Sequence, residues 1–210
     1  MLPDPDLPKR NIVLGASTGG VEALYTVLAR FPADCPPVFI VQHMRPTFLE
    51  SFVAGLDRAC QARVRLAEDR ATAKPGEIYV APPGEAHLTL ADHGALTMRL
   101  SPGPPMQGHR PSVDRLFQSC ATLPVCPAAA LLTGMGRDGA QGLLEIRQAG
   151  GPTICQDEQT SVVFGMPRAA AAMGAATHIL PLGSIAAALL RAAGYAPTQT
   201  SSLIQRRTQA

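Results

Sequence analysis

Short apolar runs bounded by Gly, Pro and polar residues alternate with stretches of helical periodicity along most of the chain. No other feature constrains the fold as much. The runs at 11–15, 37–41, 78–81, 128–133, 153–155 and 177–182 are mostly apolar throughout, as expected of strands in a parallel sheet covered on both faces. Between them lie helical patterns at 20–30, 47–61, 112–122, 139–149, 167–173 and 184–193. The alternation predicts an α/β fold: a doubly wound, mostly parallel sheet with helices on both faces and right-handed crossovers. One segment departs from it. HLTLAD and ALTMRL flank His93 and Gly94 with a period of two, which reads as an antiparallel hairpin expected to extend one end of the sheet.

A chain of 210 residues suits one domain with one substantial core, placed here at 11–195. Residues 1–10 form a short N-terminal segment, and 196–210 have little to bury and are expected to be loose. The Pro/Gly-rich stretch SPGPPMQGHRP reads as a loop that ends where Pro111 and Ser112 open a helix. A net charge of +2, with 18 Lys and Arg scattered along the chain, argues against a nucleic-acid partner. No run of apolar residues is long enough to span a membrane, and MLPDPDLPKR lacks the apolar core of a signal peptide. No membrane insertion and a cytoplasmic location are expected. Cys35, Cys60, Cys120, Cys126 and Cys155 form no C-x-x-C pair and are odd in number, so buried, reduced thiols are expected.

The turn after the first strand, LGASTGGVEAL, allows two chemistries. A Gly-rich strand-to-helix turn is where dinucleotide folds bind pyrophosphate. The spacing G-A-S-T-G-G is not G-x-G-x-x-G, however, and the second strand leads into Gln42 and His43 where an acidic ribose ligand belongs. No Lys follows the glycines, which excludes a P-loop. Gly15 to Gly19 instead match G-x-S-x-G, the spacing of a nucleophile elbow, in which flanking glycines permit a cramped turn that exposes the Ser17 hydroxyl.

A serine near neutral pH needs a general base, and that base needs an orienting carboxylate. His43 follows VFIVQ, and Asp138 follows ALLTGMGR. Ser17, His43 and Asp138 therefore lie just beyond strand ends on the edge where open α/β sheets place their sites. Each has a plainer alternative: His43 as a strand cap, Asp138 as the N-cap of the helix starting at Gly139. The order Ser, His, Asp differs from that of α/β-hydrolases, chymotrypsin and subtilisin.

The motifs GASTGG, QHM, APPGEAH, HRPSVDRLF, LLTGMGRDG and QDEQTSVVFGMPRAA resemble, in sequence and order, the catalytic domain of the bacterial chemotaxis receptor methylesterase, the CheB family. The resemblance covers 11 to about 193. It implies a serine hydrolase that removes γ-methyl esters from glutamates on the cytoplasmic helices of methyl-accepting chemoreceptors and releases methanol. Receptor glutamine deamidation is the alternative activity, and a catalytically idle binding module the alternative class. By matched motif, Ser17 resembles the family nucleophile, His43 its general base and Asp138 its orienting acid. The Met135 N–H resembles an oxyanion-hole donor, with Thr18 as a second contributor. No metal or cofactor is required, and a monomer is expected.

Other motif residues keep two readings. HRPSVDRLF contains a helix N-cap and the apolar Leu116 and Phe117, so His109, Arg110, Ser112 and Asp114 suit structure as well as substrate contact. Residues 156–161 suit a cleft wall or a structural turn. His87, His93 and His178 are scattered and read as structural or exposed. Arg45 is either a solvated arginine or an attractor of Glu-rich receptor segments. Family members carry an N-terminal phosphorylatable receiver domain, whereas only ten residues precede the first strand here. The chain reads either as a stand-alone esterase or as a piece of a longer protein, and as it stands intrinsic phosphorylation control is not expected.

Overall fold

The computed structural model describes residues 9–195. Among these, seven parallel strands form one sheet: Ile12–Ala16 (β1), Val38–Gln42 (β2), Arg63–Leu66 (β3), Glu77–Val80 (β4), Ala128–Leu131 (β7), Thr153–Gln156 (β8) and His178–Leu180 (β9). Their order is β3-β4-β2-β1-β7-β8-β9. From β1 the chain crosses to β2, then to the edge strand β3 and back to β4 between them, before it returns to the other side of β1 at β7 and builds outward through β8 and β9. The β1/β7 junction is thus a topological switch point, where the connections leaving neighbouring strands diverge and open a crevice.

Among the described residues, six α-helices cover the two faces: Gly20–Leu28 (α1), Leu49–Ala59 (α2), Val113–Ala121 (α3), Ala140–Gln148 (α4), Met166–Ala172 (α5) and Leu182–Ala192 (α6). Successive strand side chains point to opposite faces, and β1 feeds both layers in this way. Ile12, Leu14 and Ala16 join Leu24, Leu28, Leu56, Ile185 and Leu189 beneath α1, α2 and α6. Val13 joins Leu116, Phe117, Leu143, Ile146 and Met166 beneath α3, α4 and α5. The predicted doubly wound architecture is the observed one. No helix among the described residues is long and apolar enough to cross a membrane. Cys35, Cys120, Cys126 and Cys155 are buried free thiols and Cys60 is half-buried. Most of the predicted short N-terminal segment and all of the predicted loose tail lie outside the described residues.

The hairpin, Ala86–Asp92 (β5) and Leu96–Pro102 (β6), corrects one expectation: it forms its own two-stranded sheet and does not extend the main one. Its pattern places Leu88, Leu90 and Met98 in the second core layer, which draws that face onto the main body. Its edges are closed elsewhere. The Arg70 N–H donates to Met98 O, the Met98 N–H to Ala71 O, and the Ala73 N–H to Leu96 O. On β5, the Leu90 N–H donates to the Ser119 hydroxyl of α3. Strand β3, with the sequence RVRL, was not anticipated. It lies at the sheet edge and buries only Val64.

Candidate active site

Parallel register brings the ends of three strands together. Ala16 pairs with Gln42, and Gly15 pairs with both Val41 and Leu131, so Ser17, His43 and the turn after β7 emerge side by side. Backbone bonds continue past the strands: the Ser17 N–H donates to Thr133 O and the His43 N–H to Ala16 O, each at 3.0 Å. Two glycines shape the turn that carries Ser17. A Cβ on Gly15 would lie 2.2 Å from Val113 Cγ1, so its absence lets the start of α3 sit against β1. Gly19 has φ +78° as the N-cap of α1, a conformation that costs L-residues about 1–2 kcal/mol. Arg70 and Gln107 are the described non-glycine residues with positive φ. The turn is therefore left-handed at Gly19 and not at Ser17.

Asp138 is buried, and its carboxylate accepts four hydrogen bonds. Oδ1 takes the Ser112 hydroxyl at 2.8 Å and the Asp114 N–H at 2.9 Å. Oδ2 takes the Val113 N–H at 2.8 Å and His43 Nε2 at 2.9 Å. Ser112 is the N-cap of α3, so Asp138 seals the N-terminus of a helix other than its own, where free N–H groups and the helix dipole favour an anion. The N-cap of α4 is Gly139, so the alternative of Asp138 as that cap does not hold. Burial acts to raise the Asp138 pKa. The bonds from His43, the Asp114 N–H, Ser112 and the Val113 N–H outweigh it and hold the carboxyl below its ordinary range.

The His43 side chain is 8% exposed. With Nε2 donating to Asp138, its Nδ1 is buried and has no partner among the described residues. That tautomer leaves Nδ1 with the lone pair a base requires. In the chymotrypsin triad the aspartate meets the histidine at Nδ1; here Asp138 meets His43 at Nε2. His109 lies face to face with His43, with ring centroids 3.7 Å apart and planes 7° apart.

Gln42, which in sequence marks only the lack of a ribose acid, joins the two loops of the site. Its Nε2 donates to both Ser17 O and His43 O at 2.9 Å, joining the two loops through one buried amide. A polar residue ending an otherwise apolar strand was the available signal. Thr133 does the same across the switch point: its hydroxyl donates to Thr18 O and accepts from the Val163 N–H.

Thr18 and Met135 both lie at this edge, Thr18 in the turn beside Ser17 and Met135 71% exposed after β7. The N–H groups of both have no partner among the described residues. In the 156–161 segment, buried Gln156 accepts from the Thr133 N–H and donates to Thr160 O. That residue is structural, while Val162 just beyond it is 70% exposed. His87 is also structural, accepting from the Ser112 N–H and bonding Pro104 O. His93, His178 and Arg45 are exposed. Burial pushes the Cys155 thiol up to about 12, which makes it a poor nucleophile near neutral pH.

Residues 12–189 match the family model described as CheB methylesterase. The chain belongs to the CheB methylesterase family. It is 51% identical over 184 residues to the protein-glutamate methylesterase/protein-glutamine glutaminase of Agrobacterium fabrum, covering 87% of this chain and 52% of the relative. The protein of the same name from Gluconobacter oxydans is 53% identical over 190 residues, covering 88% and 54%. The chain thus spans about half the length of the curated relatives it matches. The crystal structure of the Thermotoga maritima CheB methylesterase catalytic domain superposes with a TM-score of 0.83 at 35% identity, covering 88% of this chain and 98% of that one.

Proposed function

We propose that this chain is a serine hydrolase that removes methyl esters from glutamate side chains on the cytoplasmic helices of chemoreceptors. Ser17 Oγ attacks the ester carbonyl while His43 Nδ1 takes its proton. The tetrahedral intermediate collapses, His43 returns the proton to the departing methoxide, and methanol leaves. Water, deprotonated by the same nitrogen, then attacks the acyl-enzyme, giving the free glutamate and restoring Ser17. The observation that carries this reading is the buried 2.9 Å bond between His43 Nε2 and Asp138 Oδ2 beside the Ser17 turn. It supplies an oriented imidazole whose other nitrogen is unpartnered.

The unpartnered N–H groups of Thr18 and Met135 suit an oxyanion hole, in which one donor contributes about 3–4 kcal/mol to the transition state. The same steps applied to a glutamine side chain would release ammonia. The relatives' double name, methylesterase and glutaminase, supports that second activity. The test is to incubate methyl-labelled receptor signalling domain with the protein and with Ser17→Ala. Volatile label from the first and none from the second is the expected result. Equal release by both would refute the role of Ser17.

A further inference from the structure

We infer that His109 is a positioning residue for the general base, its ring stacked on one face of His43 to hold the imidazole in the plane that serves Asp138. The inference rests on the reading of Ser17 and His43 as nucleophile and base. It begins with a geometric need. One hydrogen bond, Nε2 to Asp138, leaves an imidazole free to swing about the Nε2–Oδ2 line, and Nδ1 has no partner to stop it. The stacked ring, at 3.7 Å and 7°, supplies the missing restraint: rotation of His43 out of its plane would drive it into His109.

The backbone that carries the stacked ring is itself held by hydrogen bonds. Met106 and His109 exchange backbone hydrogen bonds at 3.0 and 2.8 Å. The neighbouring Arg110 donates from Nε to Gly84 O and from Nη1 to Gly103 O. Three residues beyond His109, the chain supplies the Ser112, Val113 and Asp114 donors that fix Asp138. One segment therefore sets both the face and the edge of the base. Burial and the adjoining His43 lower the His109 pKa against the opposing pull of Asp138, which favours its neutral form. A neutral aromatic face beside His43 tolerates the imidazolium formed during proton transfer, whereas a charged one would repel it.

The arrangement is tested with an alkyl fluorophosphonate, which reports Ser17 nucleophilicity without a receptor. The unaltered protein, His109→Ala and His109→Phe are compared for the second-order rate of Ser17 labelling, located by peptide mass. The same three are compared for kcat and KM on methylated receptor. His109→Ala is expected to slow labelling and kcat about tenfold with KM within about twofold. His109→Phe, which keeps a flat face without the titratable nitrogens, is expected to recover most of the rate. Labelling by His109→Ala at the unaltered rate overturns the inference and leaves the serine reading intact. So does a His109→Phe protein that is folded by circular dichroism yet as slow as His109→Ala. Absence of Ser17 labelling in the unaltered protein would overturn the serine reading, and this inference with it.

Discussion

Asp114→Asn is expected to stabilise the protein at neutral pH, although it removes a buried carboxylate with good hydrogen bonds. Asp114 is 1% exposed. Its Oδ1 accepts from the Gly142 N–H at 2.8 Å and its Oδ2 from Gln107 Nε2 at 2.6 Å. Burial, with the nearby Asp138 charge adding to it, nevertheless pushes its pKa up from 3.8 to about 6. Between these values the native state keeps a proton that the unfolded chain has released. Stability therefore falls as pH rises through the window and stays reduced above it. The displacement corresponds to about 3 kcal/mol at neutral pH. Asparagine keeps a carbonyl for the Gly142 N–H, and its amide can face Gln107 once that side chain turns its oxygen inward. Replacing the carboxyl by an amide and turning the Gln107 side chain costs about 1 kcal/mol at every pH. The variant should thus be more stable by roughly 2 kcal/mol near pH 7.5 and less stable by roughly 0.5 kcal/mol near pH 4. Urea unfolding of both proteins across that range measures the difference. A difference that does not change with pH would refute the reasoning, as would a variant weaker at pH 7.5 than at pH 4.

Asp138→Asn should act in the opposite sense, because one amide cannot replace two oxygens that each accept two donors. A loss of about 3–5 kcal/mol by urea unfolding and a fall in kcat of about 10⁴-fold are expected; a fall below tenfold would remove Asp138 from the proposed mechanism. Since its pKa is lowered in the folded protein, the stability it confers is present at neutral pH and is lost on acidification through the folded value. Gly19→Ala places a methyl 2.5 Å from Val162 Cβ at φ +78°. A loss of about 1–2 kcal/mol with slower Ser17 labelling is expected, and unchanged values would show that the turn tolerates a side chain. Arg45→Glu should weaken receptor-ester hydrolysis more at low salt than at high salt. Equal effects at all ionic strengths would make Arg45 a solvated surface residue.

The main strands were legible because burial on both faces leaves a continuous apolar run, as in the VFIVQ sequence of β2, whose residues are all buried. The β3 sequence RVRL lacked that mark. At a sheet edge only Val64 needs burial, while Arg65 reaches Glu68 and Glu77, so the strand reads as a polar connection. The hairpin was recognisable from its period of two, but not its location, because alternation specifies local pairing and says nothing of which edge a ribbon meets. Its partner, residues 70–73, carries no strand signal and is defined only by the hydrogen bonds it completes with β6.

The placement of Ser17, His43 and Asp138 at one edge was readable for a related reason: each follows an apolar run, and topology carries such positions together. The residues that make the constellation rigid are not of that kind. Asp138 lies 24 residues after Asp114, whose backbone N–H it accepts, and nothing local distinguishes a carboxylate that caps its own helix from one that caps another. His109 belongs to a Pro/Gly-rich loop whose course is set by Arg110 reaching Gly84 and Gly103. Gln42 gains its importance only when β1 and β2 are in register. Chemistry can be inferred from residue type and spacing, but the support of a site depends on which distant backbone groups lack partners. That is decided only when α3 packs on β1 over Gly15, where a methyl group would already collide with Val113. The Gly15 position thus connects sequence to chemistry: without a side chain there, the N-terminus of α3 can approach closely enough to hold Asp138, and Asp138 can hold His43.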